Sequence, residues 1–145
     1  MKKINRKARF DYKLLEKYEA GISLIGAEVK EIKKGNIDLS QSYAKPIGNE
    51  IYLINAIVPV QGISDYKSTR SRKLLLHKNE IFSINAKVKA KKLTLVPTKV
   101  YTRGPLVKVE IALAKSKKRF QKKELLKKKD IERELERQLK DSVKI

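Results

Sequence analysis

The sequence predicts a mainly β protein: a small antiparallel barrel with two or three short helices, followed by a charged C-terminal tail. Up to residue 114 the chain consists of short apolar segments separated by Gly and Pro. In residues 107–113 the apolar side chains alternate with Lys, Glu and Ala, as in a strand that buries one face. Beyond Pro105 there is neither Gly nor Pro. We therefore divide the chain into a body, residues 1–114, and a tail, residues 115–145.

The composition fits one folded domain. The chain has 145 residues, 41% of them hydrophobic, which is enough for a core without a disulfide or a metal. It has no Cys, and this excludes thiolate metal sites and a cysteine nucleophile. The sequence shows no apolar run long enough to span a membrane, and no hydrophobic signal segment follows the basic N-terminus. We expect a cytoplasmic protein.

The first segments of the body differ in how regular they are. Residues 2–9 are basic and show no apolar period, which predicts a flexible arm. Residues 12–25 fit either a strand or one face of a helix. Their aromatic and β-branched side chains favour a long bent strand. Gly21 inside this strand indicates a bulge or a bend.

A helix and a hairpin are predicted next. Residues 26–35 have apolar side chains at helical spacing and lysines in the last turn, and Gly35 can end the helix in a left-handed conformation. Residues 42–45 and 50–57 predict two strands. Gly48-Asn49 supplies the residue types that a tight hairpin turn between them requires.

The second half of the body continues this pattern. Residues 59–72 lack periodicity and predict a mobile loop. Residues 74–76 fit either a buried strand or the entry to a helix. Residues 79–88 predict a helix, and residues 93–101 and 107–114 predict the last two strands.

The number and spacing of these strands fit a small barrel, and the oligonucleotide-binding (OB) type fits best. Pro97 cannot donate to a strand ladder, so we place it at an edge or a bulge. The strand pattern alone does not separate this barrel from other small barrels, such as the SH3-like type.

The tail is predicted to be basic and to lack a fold of its own. It holds 13 Lys and Arg against 6 Asp and Glu. Ile131, Leu135 and Leu139 form a stripe too narrow to bury much against a core. Residues 115–123 are therefore expected to be disordered alone. Residues 124–141 can become helical on a partner.

The net charge of +20 indicates the class of partner. The body contributes +13 of it, so the charge is not confined to the tail. A surface this basic favours nucleic acid, whose phosphates release counterions when Lys and Arg neutralise them. A general drift of composition towards Lys is the alternative explanation.

The sequence shows no catalytic constellation. His77 is the only histidine and stands beside three leucines, which is more typical of a packed or surface residue than of a general base. Nucleotide-binding motifs are absent from the sequence, so we expect neither an enzyme nor a cofactor or metal. Glu28 is predicted to be a solvated helix residue. Phe120 stands among Lys and Arg, where it can stack on an unpaired base or be a loosely packed tail residue.

Eight segments follow one another along nearly the whole chain. They are NRKARFDY (5–12), YEAG (18–21), GAEVK (26–30), DLSQSYAK (38–45), RSRKLLLHKNEI (70–81), LTLVP (93–97), VKVEIALAKSKK (107–118) and DIERELER (130–137). In this order they resemble the bacterial SsrA-binding protein family, also called small protein B.

The resemblance implies a fold, a function and partners. The body would be an OB-type barrel that binds the tRNA-like domain of transfer-messenger RNA. The tail would become helical in the empty mRNA channel of the small ribosomal subunit, next to the decoding centre. Body and RNA would together imitate a charged tRNA at a stalled ribosome, in trans-translation. A monomer without enzymatic activity, cofactor or membrane contact is expected.

The resemblance also implies which residues bind. Asn5, Glu19 and Leu75 match positions that the family uses for RNA binding. The other body residues placed on or near that face are Arg6, Lys7, Arg9, Tyr12, Lys73 and Lys108. The tail residues expected to contact the ribosome are Lys117, Lys118, Phe120, Lys122 and Lys123. The chain departs from the family's usual His, Gly and Asp at Phe10, Ser116 and Gln121, and loop 59–69 is shorter than usual.

Other functions share parts of this pattern. A basic structural ribosomal protein with an OB-like head and an extended tail has the same composition. A tail lying on a membrane surface would insert its narrow apolar stripe, although bulky aromatic residues are few. A nuclease would need acid, base and metal-binding residues that the sequence does not show.

Overall fold

The computed structural model describes residues 1–117 together with Arg133, Glu134 and Arg137. Its strands are β1 (Lys2–Ile4), β2 (Tyr12–Ile22), β3 (Tyr43–Ile47), β4 (Glu50–Ile54), β5 (Arg72–Leu75), β6 (Thr94–Arg103) and β7 (Leu106–Ser116). Its named helices are α1 (Arg6–Asp11), α2 (Gly26–Lys33) and α3 (Lys78–Lys91). The mainly β architecture predicted from the sequence is confirmed.

The strand pairings form a closed ring. The order is β1-β6-β3-β4-β5-β2-β7, and β7 pairs again with β6. All of these pairings are antiparallel. The three-residue β1 lies outside the ring and pairs with β6. The ring is the small antiparallel barrel that the segment spacing predicted.

Strand β2 joins two parts of the ring, as a long bent strand can. Most of its length pairs with β7, and its last two residues, Gly21 and Ile22, pair with β5. The irregular register lies between Leu14 and Lys17, so the bulge predicted at Gly21 is misplaced. Gly21 serves close packing instead, because a Cβ at this position would lie 3.2 Å from the Cβ of Leu75.

The inward faces of the strands form the core. Ile51, Leu53 and Ile111 are each 0% exposed. Helices α2 and α3 each contribute a fully buried apolar side chain, Ile32 and Ile84 respectively. Burial of a side chain of this size stabilises the fold by about 1.5–3 kcal/mol.

Two local predictions from Gly residues are confirmed. The β3–β4 hairpin turns at Gly48-Asn49, and Gly48 has a φ of +60°, which suits a tight hairpin turn. Helix α2 ends at Gly35, whose φ is +88°. There the Gly35 N–H donates to the Ile32 carbonyl at 2.8 Å and the Asn36 N–H donates to the Glu31 carbonyl at 2.9 Å, so the last carbonyls of the helix are satisfied.

The prediction of a flexible N-terminal arm is wrong. Residues 2–4 pair with β6, and residues 6–11 form α1. The Asn5 side chain caps α1 by accepting from the Ala8 N–H at 3.3 Å. The sequence shows no apolar period here because β1 is wholly exposed and α1 buries only Ala8.

The second half of the body is more regular than predicted. Residues 74–76 overlap strand β5, which settles the choice between strand and helix entry for Leu74 and Leu75. Helix α3 is longer than predicted and ends where Lys92 adopts a left-handed φ of 51° without the help of glycine. The pairing of β6 with β7 shifts register between Pro97 and Lys99, so the predicted bulge at Pro97 is confirmed.

Glu28 is not solvated, and this expectation is wrong. Its side chain is fully buried and ion-paired with Arg72, whose Nη2 lies 2.6 Å from Oε2. Arg70 forms a second ion pair with the same carboxylate, and the Tyr66 hydroxyl lies 2.9 Å from it. These contacts tie loop 59–72 to α2, although the loop has no regular structure before β5. Helical periodicity did not reveal them, because the partners of Glu28 lie about forty residues away.

The ionisation of Glu28 depends on these partners. Burial alone would raise the pKa of Glu28. Hydrogen bonds from Arg70, the Ile25 N–H, Arg72 and Tyr66 outweigh burial and lower the pKa to about 2. The carboxylate therefore stays charged and balances the buried Arg72 guanidinium.

The tail predictions lie largely outside the described residues. Four of the tail residues expected to contact the ribosome lie outside the described residues: Lys118, Phe120, Lys122 and Lys123. Most of residues 124–141 lie outside them too. Arg133, Glu134 and Arg137 have helical backbone. The division of the chain at residue 114 stays a prediction, and β7 continues to Ser116. No helix in the described part of the chain is long and apolar enough to cross a bilayer.

Replacing Glu28 with Gln should lower the free energy of unfolding by about 3 kcal/mol, because Arg72 would remain buried without its counter-ion. Urea unfolding of both proteins measures this difference. Glu31→Gln, on the same helix, removes a partly exposed carboxylate that accepts from Asn36 and pairs with Lys34, and should cost much less. Equal losses in the two variants would contradict the central role of Glu28.

Acid should weaken the wild-type protein through Glu28. Its folded pKa lies below the unfolded value of 4.5, so its stabilising contribution is complete above about pH 5. The contribution is lost as the pH falls towards 2. Between pH 5 and pH 2 the free energy of unfolding should therefore fall more steeply in the wild type than in Glu28→Gln. Parallel curves for the two proteins would show that Glu28 titrates normally.

Candidate nucleic-acid interface

One surface collects several of the residues predicted to bind RNA. Across four neighbouring strands, Tyr101 pairs with Lys108, Lys108 with Gly21, and Gly21 with Leu75. Directly paired residues point to the same side of a sheet, and Glu19 joins them because it lies two residues before Gly21 in β2. We call these five residues the Glu19 face. Each of the five has at least one buried neighbour along its strand, so this face points outward.

An open groove of about 590 Å³ runs beside the Glu19 face. Four of the predicted binding residues line it: Glu19, Lys73, Leu75 and Lys108. The start of α3 closes one side of the groove with His77 and Lys78. The charged lining of the groove is mixed: Lys73, Lys78 and Lys108 lie beside Glu19, Glu50 and Glu80. The exposed apolar side chain of Leu75 lies among them.

Glu19 is held in place by two side chains of β6. The Tyr101 hydroxyl donates a hydrogen bond to Oε2, and Arg103 donates from Nη1 to Oε1 at 3.2 Å. Lys99 lies over the Tyr101 ring, with its Nζ 5.4 Å from the ring centre. These bonds orient a carboxylate that would otherwise rotate freely on an exposed strand.

The protonation states of this pair follow from the same contacts. The hydrogen bond from Tyr101 lowers the pKa of Glu19, and the charges of Arg103, Lys108 and Lys99 lower it further. Partial burial and the bond to Glu19 raise the pKa of Tyr101 to about 12. At neutral pH Glu19 is therefore an anion and Tyr101 a hydrogen-bond donor. The site offers a fixed acceptor amid positive charge.

Leu75 and Lys73 lie on the same side of β5. Leu75 is 52% exposed and lines the groove. Lys73 forms an ion pair with Glu50, with Nζ and Oε1 2.6 Å apart, and this contact raises the pKa of Lys73. Leu75 can therefore contact a ligand directly, and its role need not be limited to packing.

The remaining predicted body residues form a second group around α1. Asn5, Lys7 and Tyr12 line a smaller recess of about 230 Å³. Asn5 is 6% exposed, and its amide donates to the carbonyls of Leu39 at 3.1 Å and Pro97 at 2.9 Å. Its contact with RNA stays a prediction. The geometry shows that Asn5 fixes α1, whose exposed basic residues are Arg6, Lys7 and Arg9.

Lys117 is the one described member of the predicted tail contacts. Its backbone N–H donates to the Asp11 carbonyl at 3.0 Å, and its Nζ donates to the Arg9 carbonyl at 3.2 Å. The end of β7 is thus attached to the end of α1. The second basic group and the start of the tail are neighbours in the fold.

The sequence did not single out Tyr101 and Arg103, although both contact Glu19. Strand alternation places them on one face of β6, but it does not say which strand lies next to them. The register of β6 with β7, and of β7 with β2, brings them to Glu19. Only an interstrand register, which a single sequence does not specify, could have identified this pair.

A closed antiparallel barrel that presents lysines and an oriented acceptor on one face is typical of OB-type nucleic-acid-binding proteins. Comparison with known proteins gives the family. Residues 3–141 match the family described as SmpB protein. The chain belongs to this family.

Its relatives cover almost the whole chain. The SsrA-binding protein of Sulfurihydrogenibium sp. (strain YO3AOP1) is 46% identical over 144 residues, which are 97% of this chain and 95% of that protein. The SsrA-binding protein of Caldanaerobacter subterraneus subsp. tengcongensis is 47% identical over 140 residues, 94% of this chain and 89% of that protein. Both are similar to this chain from end to end.

A solved structure has the same fold. It is described as "tmRNA-SmpB: a journey to the center of the bacterial ribosome", and it shares 43% sequence identity with a TM-score of 0.66. The match covers 81% of this chain and 85% of that chain. The mainly β architecture inferred from the strand pattern is therefore shared with a relative of known structure.

Replacing Gly21 with Ala should destabilise the body by about 1 kcal/mol, because the new methyl group would press on Leu75. Urea unfolding measures the loss. Gly26→Ala is the matched control, since a Cβ there meets no atom within 4 Å and the position is helical. The close-approach explanation fails if Gly21→Ala is as stable as Gly26→Ala.

Proposed function

We propose that this protein binds transfer-messenger RNA through the groove and the Glu19 face, and carries it to stalled bacterial ribosomes. The oriented Glu19 carboxylate, set among the positive charges of Arg103, Lys108 and Lys99, is the observation on which the proposal rests. A surface meant only to attract phosphates has no use for a fixed anion. Two relatives are named SsrA-binding protein, and the description of the similar structure names tmRNA and the bacterial ribosome. These names support both the RNA and the ribosome as partners.

In this proposal the lysines and arginines bind phosphates and give most of the affinity, while the Glu19 face recognises bases and shape. The body binds the tRNA-like domain. The tail, from Lys117 onward, enters the mRNA channel next to the decoding centre. The protein acts in the cytoplasm as a binding factor and has no catalytic step of its own.

The test is binding of the full-length protein to the tRNA-like domain, to ordinary tRNA and to duplex DNA over a salt series. A preference for the tRNA-like domain that persists at about 200 mM salt is expected, since phosphate contacts alone weaken steeply with salt. Equal affinities that fall together would contradict the proposal. The protein would then be a general basic component, such as a structural ribosomal protein.

Replacing Leu75 with Asp should weaken binding to the tRNA-like domain about tenfold or more, because it puts a second anion beside Glu19 and removes an apolar contact. Filter binding or fluorescence anisotropy measures the affinity. Leu15→Asp is the control, since Leu15 is 43% exposed in the other half of β2, away from the groove. If both variants lose the same affinity for RNA, the loss comes from the change in net charge and not from the position of Leu75.

Truncation after Lys117 should leave RNA affinity nearly unchanged and abolish tagging of stalled products. Cutting there, and not after residue 114, keeps all of β7 and the bond from Lys117 to Asp11. Circular dichroism checks that the body remains folded, and an in vitro translation reaction on a message without a stop codon measures tagging. Continued tagging by the truncated protein would disprove the separate role of the tail.

A further inference from the structure

The Glu19 carboxylate keeps an unused acceptor position on each oxygen. A carboxylate offers about four lone-pair positions, two on each oxygen. Tyr101 takes one on Oε2 and Arg103 takes one on Oε1. No other side chain in the described part of the chain donates a hydrogen bond to this group. Each oxygen of the carboxylate therefore keeps one acceptor position, and the partly exposed side chain lets a ligand reach both oxygens.

Two adjacent acceptors are complementary to two parallel donors. Among the RNA bases, only guanine presents two neighbouring donors on its Watson–Crick edge, N1–H and N2–H. Adenine and cytosine present one amino group beside an acceptor nitrogen, which would repel the second carboxylate oxygen. Uracil presents one N–H between two carbonyls. Unpaired bases expose this edge to proteins, so the site selects a guanine that is not base-paired.

We propose that Glu19 recognises the Watson–Crick edge of an unpaired guanine in the bound RNA, with Tyr101 and Arg103 as positioning residues. This inference rests on the proposed function and specifies what the groove selects. Leu75 pairs with Gly21, two residues along β2 from Glu19, and offers an apolar surface to the base. Gly21 has no side chain to fill the space between Leu75 and Glu19.

Arg103 also makes the carboxylate compatible with RNA. An unscreened anion on this face would repel phosphates, and Arg103 is placed to offset its charge. Guanidinium has five N–H donors, and the bond to Glu19 uses one of them. The side chain is 69% exposed, so its other donors can reach the phosphate next to the selected guanine. Tyr101 adds no charge and fixes the orientation of the carboxylate.

The RNA arm of the test uses the full-length protein and the tRNA-like domain RNA. Each unpaired guanosine is replaced, one at a time, by inosine, which lacks the N2 amino group. Inosine at one position should weaken binding about tenfold, because a hydrogen bond to a charged acceptor is lost. Substitution by 7-deazaguanosine at the same position keeps both donors and should have no effect.

Two results on the RNA side would overturn the inference. One is that no inosine substitution weakens binding. The other is that 2′-deoxy substitution, and not inosine, weakens binding, since Glu19 would then accept from a ribose hydroxyl. Neither result touches the preference for the tRNA-like domain over tRNA and duplex DNA. Failure of that preference would disprove the proposed function, and failure of the inosine test alone would disprove only the guanine site.

The protein arm is a double-mutant cycle. Tyr101→Phe should weaken binding to the guanosine RNA severalfold and should have no effect in the Glu19→Gln background. Tyr18→Phe is the matched control, because the Tyr18 hydroxyl donates to Glu16 at 2.8 Å beside Lys87, the same chemistry outside the Glu19 face. Equal losses from Tyr101→Phe with and without Glu19 would show that Tyr101 does not act through Glu19.

Discussion

The pairing of β2 with two neighbours is the constraint on which the rest of the structure depends. At Gly21 the strand has β7 on one side and β5 on the other, and this contact closes the ring. Closure brings β5 close to this strand, and a Cβ at Gly21 would lie only 3.2 Å from the Cβ of Leu75. The same contact brings Glu19, Leu75 and Lys108 to one surface. The proposed binding face is therefore a product of barrel closure and not of one local motif.

The sequence correctly predicted the elements that depend only on a few neighbouring residues. The alternation in β7, the Gly48-Asn49 turn and the Gly35 helix end all rest on a few adjacent residues, and all are confirmed. The errors concern partners far along the chain. Residues 2–9 are ordered by β6, and Glu28 is buried by arginines from loop 59–72. A single sequence does not show such partners, because interstrand register and loop position depend on the whole fold.

The candidate site divides in the same way. The family resemblance supplied Glu19, Leu75, Lys73 and Lys108, and the structure brings them to one groove. It could not supply Tyr101 and Arg103, because their contact with Glu19 arises from two successive strand registers.

The two carboxylates Glu28 and Glu19 are held in different ways. Glu28 is charged, fully buried and satisfied within the fold, whereas Glu19 is charged, partly exposed and incompletely satisfied. Only the second kind is available to a ligand.

Strand β7 runs from the Glu19 face to the start of the tail. Lys108 lies on the Glu19 face, and Ser116 ends the strand beside Tyr12, one residue before Lys117 is attached to α1. At a rise of about 3.4 Å per residue, the strand sets a distance of roughly 27 Å between the proposed RNA-binding face and Ser116. Because β7 is paired on both sides over most of this length, this distance is nearly fixed. If RNA binds on the Glu19 face, its position therefore determines where the chain beyond Lys117 begins.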